Sequence, residues 1–225
     1  MGVELFQAFR PREGERGSVL APDSLRDLLS FRQPTDAVGR AIRGAQLDAL
    51  VRLVPITVVS QLFAAGLIAW SLRGTVADQW LALWFVGALV MCATRGARAL
   101  RLRLDKDYAR RKPPEIKTIT AIIAMLGSLW LVPPVFWFEH ADTEHQMMLG
   151  VLIIALMSAA GVSLATVPQA CLTYLAILTL GGLVMTAQFE SPVHMGLMLI
   201  FAIDIGGAAI ANARRFVGHV RTQIE

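Results

Sequence analysis

The sequence predicts an all-α, polytopic integral membrane protein. It reads as a six-helix bundle with both termini in the cytoplasm (N-in/C-in) and a cytoplasmic helical extension. Three observations predict it. Of the 225 residues, 55% are hydrophobic and 17% charged, and mean hydropathy is +0.56, more apolar than an ordinary water-soluble domain of this length. Six apolar runs approach the roughly 20 residues that cross a hydrocarbon core of about 30 Å. The basic residues fall almost wholly between alternate runs, as the positive-inside rule requires.

Residues 1–44 form an arginine-rich N-terminal arm punctuated by Pro11, Gly14, Gly17, Pro22 and Pro34. No apolar h-region follows a basic n-region, so the arm is not a signal peptide. Phe6 stands where N-myristoylation wants Ser or Thr. Within the arm, "PDSLRDLLSF" offers Asp23 or Ser24 as an N-cap, with Leu25, Leu28 and Leu29 at helical spacing. That pattern fits an amphipathic helix on the inner membrane surface, with a disordered arm as the alternative.

The apolar runs cover residues 50–72, 77–94, 118–138, 147–165, 169–188 and 193–213, and residues 45–213 together make the transmembrane domain. "AIRGAQLDALVR" extends the first run at its start. Pro133 and Pro134 are placed to kink the outer end of the third helix, and Pro168 suits the first turn of the fifth. The segments before helix one, between helices two and three, and after helix six carry 19 of the 21 Lys and Arg residues, and Arg52 stands at the same end, just inside the first run. The opposite loops carry Arg73 against Asp78, Glu139, Asp142, Glu144 and Glu190. Trp70, Trp80, Trp84, Trp130 and Trp137 all fall toward the outer helix ends, where an interfacial aromatic belt belongs. The basic stretch "RGARALRLRLDKDYARRKPPEIK" reads as a topology determinant contacting anionic headgroups rather than nucleic acid. Cys92 and Cys171 have no metal-type spacing and read as reduced packing residues.

Three features bear on function. Asp204 lies near mid-bilayer, about ten residues from both His194 and Arg214, where a carboxylate is costly unless neutral or paired. Gln61, with Ser60 beside it, lies at similar depth, and the three together form a candidate ligand or intramembrane polar site within the bundle. The alternative is a helix-packing hydrogen bond. Second, the outer loops present His140, Glu144, His145 and His194, donors that suit a periplasmic transition-metal ion if the loops converge; the alternative is a solvated acidic rim. Third, beyond Arg214 and Arg215, Ile210, Val217 and Ile224 are seven apart, with Ala213 and Val220 at the intervening positions. Residues 214–225 thus read as the start of a coiled-coil signalling helix. The pattern breaks off at Glu225 in mid-phase, as expected of a connector to a further domain.

"IRGAQLDALVRLVP" entering helix one and "LALWFVGALVMCATRGARALRLR" ending helix two resemble the N-terminal membrane region of bacterial signalling proteins. A short outer loop with a His-Gln pair, ahead of a small-residue-rich fourth helix, strengthens the likeness. In such proteins a six-helix sensor precedes GGDEF, EAL, PAS or histidine-kinase modules. The resemblance spans residues 42–225, with one departure: Ser60 and Gln61 stand where an asparagine is expected. It implies a sensory input domain in the bacterial inner membrane, homodimeric, feeding a cytoplasmic output domain in cis that performs cyclic-di-GMP turnover or phosphotransfer. The 225 residues contain no Walker loop, nucleophile elbow or nucleotidyl-cyclase motif, so no enzyme is expected within them. The rival reading is a small transporter using Asp204 as its mid-bilayer site.

Overall fold

The computed structural model describes residues 37–104, 115–188 and 192–224, together with Leu29. The amphipathic helix expected around Asp23 lies outside the described residues, as does Glu190. Helix α1 spans Ala37–Ser71, α2 Asp78–Leu104 and α3 Ile116–Trp130. A π turn, Pro133–Trp137, and a 3-10 turn, Phe138–His140, follow α3. Helix α4 spans Thr143–Ser163, α5 Pro168–Ala187 and α6 Pro192–Ile224. Six segments are long and apolar enough to cross a membrane.

Two prolines act as the sequence predicts. Pro133 and Pro134 supply no amide donors, so the ladder at the end of α3 widens into the π turn. Pro168 opens α5, where a missing N–H costs nothing. A third, Pro55, lies inside α1 and leaves the Val51 carbonyl without its usual donor four residues on. Arg103 fills that gap from α2, its Nη2 donating to the Val51 and Arg52 carbonyls at 3.3 and 2.8 Å.

The turn between α1 and α2 needs Gly74, whose φ of 81° places it in the left-handed region that other residues resist. The resulting antiparallel pair packs along its length. Helix α5 is the centre of the remaining bundle, touching α3, α4 and α6. Its spans are joined closely because small residues let backbones approach. A methyl group added at Gly181 would meet Leu131 Cδ2 at 2.8 Å and Pro134 Cγ at 3.2 Å, so the side chains just past α3 pack directly on the α5 backbone there.

The tryptophans divide. Trp70 and Trp80 face outward, with the Arg73 guanidinium 5.4 Å above the Trp70 ring. Trp84, Trp130 and Trp137 instead turn inward and meet edge to face, Trp84 lying 5.6 Å from Trp130 and 5.5 Å from Trp137. The expected five-member interfacial belt is therefore a two-member belt and a three-ring core. Trp84 Nε1 also donates to the Leu129 carbonyl at 2.8 Å, a polar contact between α2 and α3 beside the ring cluster.

Helix α6 continues well past the apolar run. Ala213, Val217 and Val220 are buried, and Ala213 and Val217 pack on Ile42 near the start of α1. The seam expected to start a coiled-coil signalling helix thus packs, at Ala213 and Val217, on α1 of the same chain. A heptad-like spacing records only that one face of a helix is covered, and here α1 covers it. Ile210 is partly buried; the side chain of Ile224 lies outside the description.

Candidate functional site

The bundle has two chemically distinct ends. The basic end carries Arg98, Arg101, Arg103, Arg214 and Arg215, and the acidic end Asp78, Glu139, Asp142 and Glu144. Between them a polar cluster interrupts the apolar interior. Helix α1 supplies Gln61, α2 supplies Cys92 and Arg95, and α5 supplies Tyr174.

Gln61 lies about 15 Å along α1 from Ser71, and the Arg95 Cα about 25 Å along α2 from Asp78, at 1.5 Å per residue. Helical side chains lean toward their own N-terminus, so Arg95 leans away from the basic end. Its Nη1 donates to Gln61 Oε1 at 2.9 Å. Cys92 lies one turn back on the same face, its thiol 3.9 Å from the same oxygen. Because arginine only donates, the carboxamide oxygen must face it, which fixes the orientation of Gln61. The phenol of Tyr174 lies beside Arg95 and against the Gln61 side chain, its polar neighbour, though short of full hydrogen-bond geometry. Arg95, counted from the sequence with the headgroup-contacting stretch, thus belongs instead to the interior. Its spacing from Cys92, and the presence of Gln61 one helix away, were the only signals of this.

The other sequence candidates do not join the cluster. Asp204 is on the exposed face of α6 and has no hydrogen-bond or ion-pair partner among the described residues. The pairing envisaged with Gln61 or Ser60 inside the bundle is not made: Gln61 is engaged by Arg95. Ser60 is exposed and donates back to the Ile56 carbonyl at 2.9 Å, a bond within its own helix. A carboxylate in an apolar run is expected to face inward, yet Asp204 faces out of the bundle. Both faces of a membrane helix are apolar, so the sequence around it carries no label for the inner one.

At the acidic end, His140, Glu144 and His194 are exposed. Among the described residues no three His, Cys, Asp or Glu side chains gather as a metal-holding group. His145 has a structural duty instead. Asp142 is the N-cap of α4, accepting from the His145 backbone N–H at 3.0 Å, with the imidazole Nδ1 at 2.7 Å from the same oxygen. The backbone N–H, then the imidazole, hold the Asp142 carboxyl below the ordinary carboxylate range. A depressed value means the cap is fully effective above the unfolded value, near about 3.9, and fades as pH falls through the lower folded one. Asp142→Ala is therefore expected to lower the thermal midpoint at neutral pH, with the difference from wild type closing as melts are repeated downward from about pH 4.

No protein-family model, curated protein or solved structure matches the chain.

Proposed function

We propose that the chain is a membrane-embedded sensory input domain of the bacterial inner membrane, with both termini cytoplasmic. A stimulus at the polar cluster shifts α6, and α6 carries the shift to a cytoplasmic output domain, cyclic-di-GMP turnover or histidine-kinase phosphotransfer. The domain works as a homodimer, its basic end resting on anionic headgroups.

The observation that carries this reading is the continuity of α6. It runs unbroken for 33 residues from Pro192 to Ile224, a rod of roughly 50 Å. Along the bundle it packs on α5, the helix that holds Tyr174, and past the bundle on Ile42 of α1. A displacement between α5 and α6 at one end has no break to absorb it before the other. The stimulus must bind two arrangements of α6 with different affinity for such a relay to operate. Transport through Asp204 has less support, since its exposed position lines no path between the helices of one chain.

The test is a reporter fusion with residues inserted after Arg215. Four residues turn everything downstream by about 40° and pull Val217 from Ile42. Output is expected to be lost or inverted while membrane insertion stays intact, and a seven-residue insertion, nearly in phase, is expected to restore most of it. Unchanged output with four residues would overturn the relay.

A further inference from the structure

We propose that Arg95, Gln61 and Tyr174 form a binding site for the monoanionic oxyanion of an amphiphile, a carboxylate or phosphodiester carried on an acyl chain. The ligand assignment extends the sensory reading by naming what the polar cluster takes, but its measurement is independent of any output.

The argument begins with charge. Arginine stays protonated throughout the accessible pH range, and no Asp or Glu side chain lies within ion-pair distance of Arg95 among the described residues. A cation held in an apolar bundle without a counter-ion is costly unless something supplies one. A long basic side chain near the end of a membrane helix ordinarily relieves that cost by reaching out to the interface. Arg95 does the reverse, held toward mid-span by the 2.9 Å bond to Gln61.

The second part is the donor balance. The guanidinium has five N–H groups in a planar fork, and among the described residues one of them is bonded, to Gln61. The Tyr174 hydroxyl beside it is buried, close to the Gln61 side chain but short of full hydrogen-bond geometry with it. The strongest acceptor in the cluster, Gln61 Oε1, already serves Arg95 and the Cys92 thiol. The cluster therefore has donors to spare, and a ligand that completes it must bring acceptors. One uncompensated positive charge calls for one negative charge. A carboxylate or phosphodiester meets both demands, with two oxygens that match the arginine fork.

Surroundings set the rest of the ligand. The apolar side chains of α2 within five residues of Arg95 that stay open outside the protein include Met91, partly exposed, and Val90 and Leu100, exposed. A small hydrated anion gains nothing from them, whereas an acyl chain does. Arg95 itself keeps partial exposure, so the headgroup reaches it without the bundle opening.

The experiment uses the purified chain in nanodiscs of zwitterionic lipid, read by thermal unfolding and by native mass spectrometry. One arm adds oleate, one replaces part of the lipid with phosphatidylglycerol, and one adds inorganic phosphate alone. Oleate or phosphatidylglycerol is expected to raise the wild-type midpoint with one molecule bound per chain; which of them does so identifies the source of the oxyanion. Arg95→Gln is expected to weaken that binding at least tenfold, and Tyr174→Phe several-fold, while Arg101→Gln, on the exposed surface of the same helix, leaves it unchanged. Without ligand, Arg95→Gln is expected to melt no lower than wild type, since it removes an unpaired charge. A merely structural arginine would give the opposite result. The proposal is overturned if neither amphiphile stabilises the protein, if Arg95→Gln responds as wild type does, or if inorganic phosphate alone saturates the effect.

Discussion

Trp84→Ala is expected to be among the most damaging single truncations in this bundle. In water-soluble cores, loss of a buried tryptophan costs about 3–5 kcal/mol, divided between transfer and cavity. A bilayer removes most of the transfer share, because lipid is as apolar as the protein interior. The cavity, the lost ring contacts with Trp130 and Trp137 and the lost bond to Leu129 remain, for a cost of about 2–3 kcal/mol. Trp84→Phe separates the contributions. It keeps an aromatic ring and removes the N–H, whose interhelical bond is worth about 0.6 kcal/mol. Denaturant titration followed by circular dichroism checks both variants. Equal losses for Ala and Phe would mean that the hydrogen bond, and not the ring cluster, joins α2 to α3.

Gly161→Val has the second large expected effect, and it falls on the proposed moving element. A methyl placed at Gly161 of α4 would meet Ile205 Cγ2 of α6 at 2.7 Å. That atom belongs to a β-branched side chain with one favoured rotamer in a helix, so it cannot swing clear. Helix α6 must move away from α4, at about 1–3 kcal/mol for overpacking. Removing the obstruction should reverse the loss: Gly161→Val with Ile205→Ala is expected to be more stable than Gly161→Val alone, a coupling that a double-mutant cycle measures. Additive losses would place the strain elsewhere. The single variant also tests the relay, since a displaced α6 should bias reporter output in the absence of any stimulus.

The number, order and approximate span of the helices were legible because hydropathy measures length against bilayer thickness. The helix starts were the less legible part. The first apolar run begins at residue 50, yet α1 begins at Ala37, because polar residues beyond the bilayer continue a helix without an apolar signal. Helices α2 and α6 likewise outrun their apolar runs, to Leu104 and Ile224. Which face is inward was not legible at all. In water the polar face marks the outside, but Val59 and Ile203 are as apolar as Ile68 and Leu178, and the first two face out while the latter two are fully buried. Hence Asp204 was read as interior and Arg95 as peripheral, and both readings reversed. A polar residue in a membrane helix signals that something must satisfy it, not that the same chain does so. Arg95 found Gln61, and Asp204 has no partner within its own chain among the described residues.

The contact of Ile42 with Ala213 and Val217 also governs how the protein is made. Its two sides are nearly the first and the last pieces of the bundle to be synthesised. At about 5–20 residues per second, the ribosome takes on the order of 10–30 s to travel from Ile42 to Ala213. Throughout that interval the start of α1 stands without the helix that will cover it. This contact is therefore among the last to close, and the newborn chain carries that face of α1 uncovered until α6 arrives.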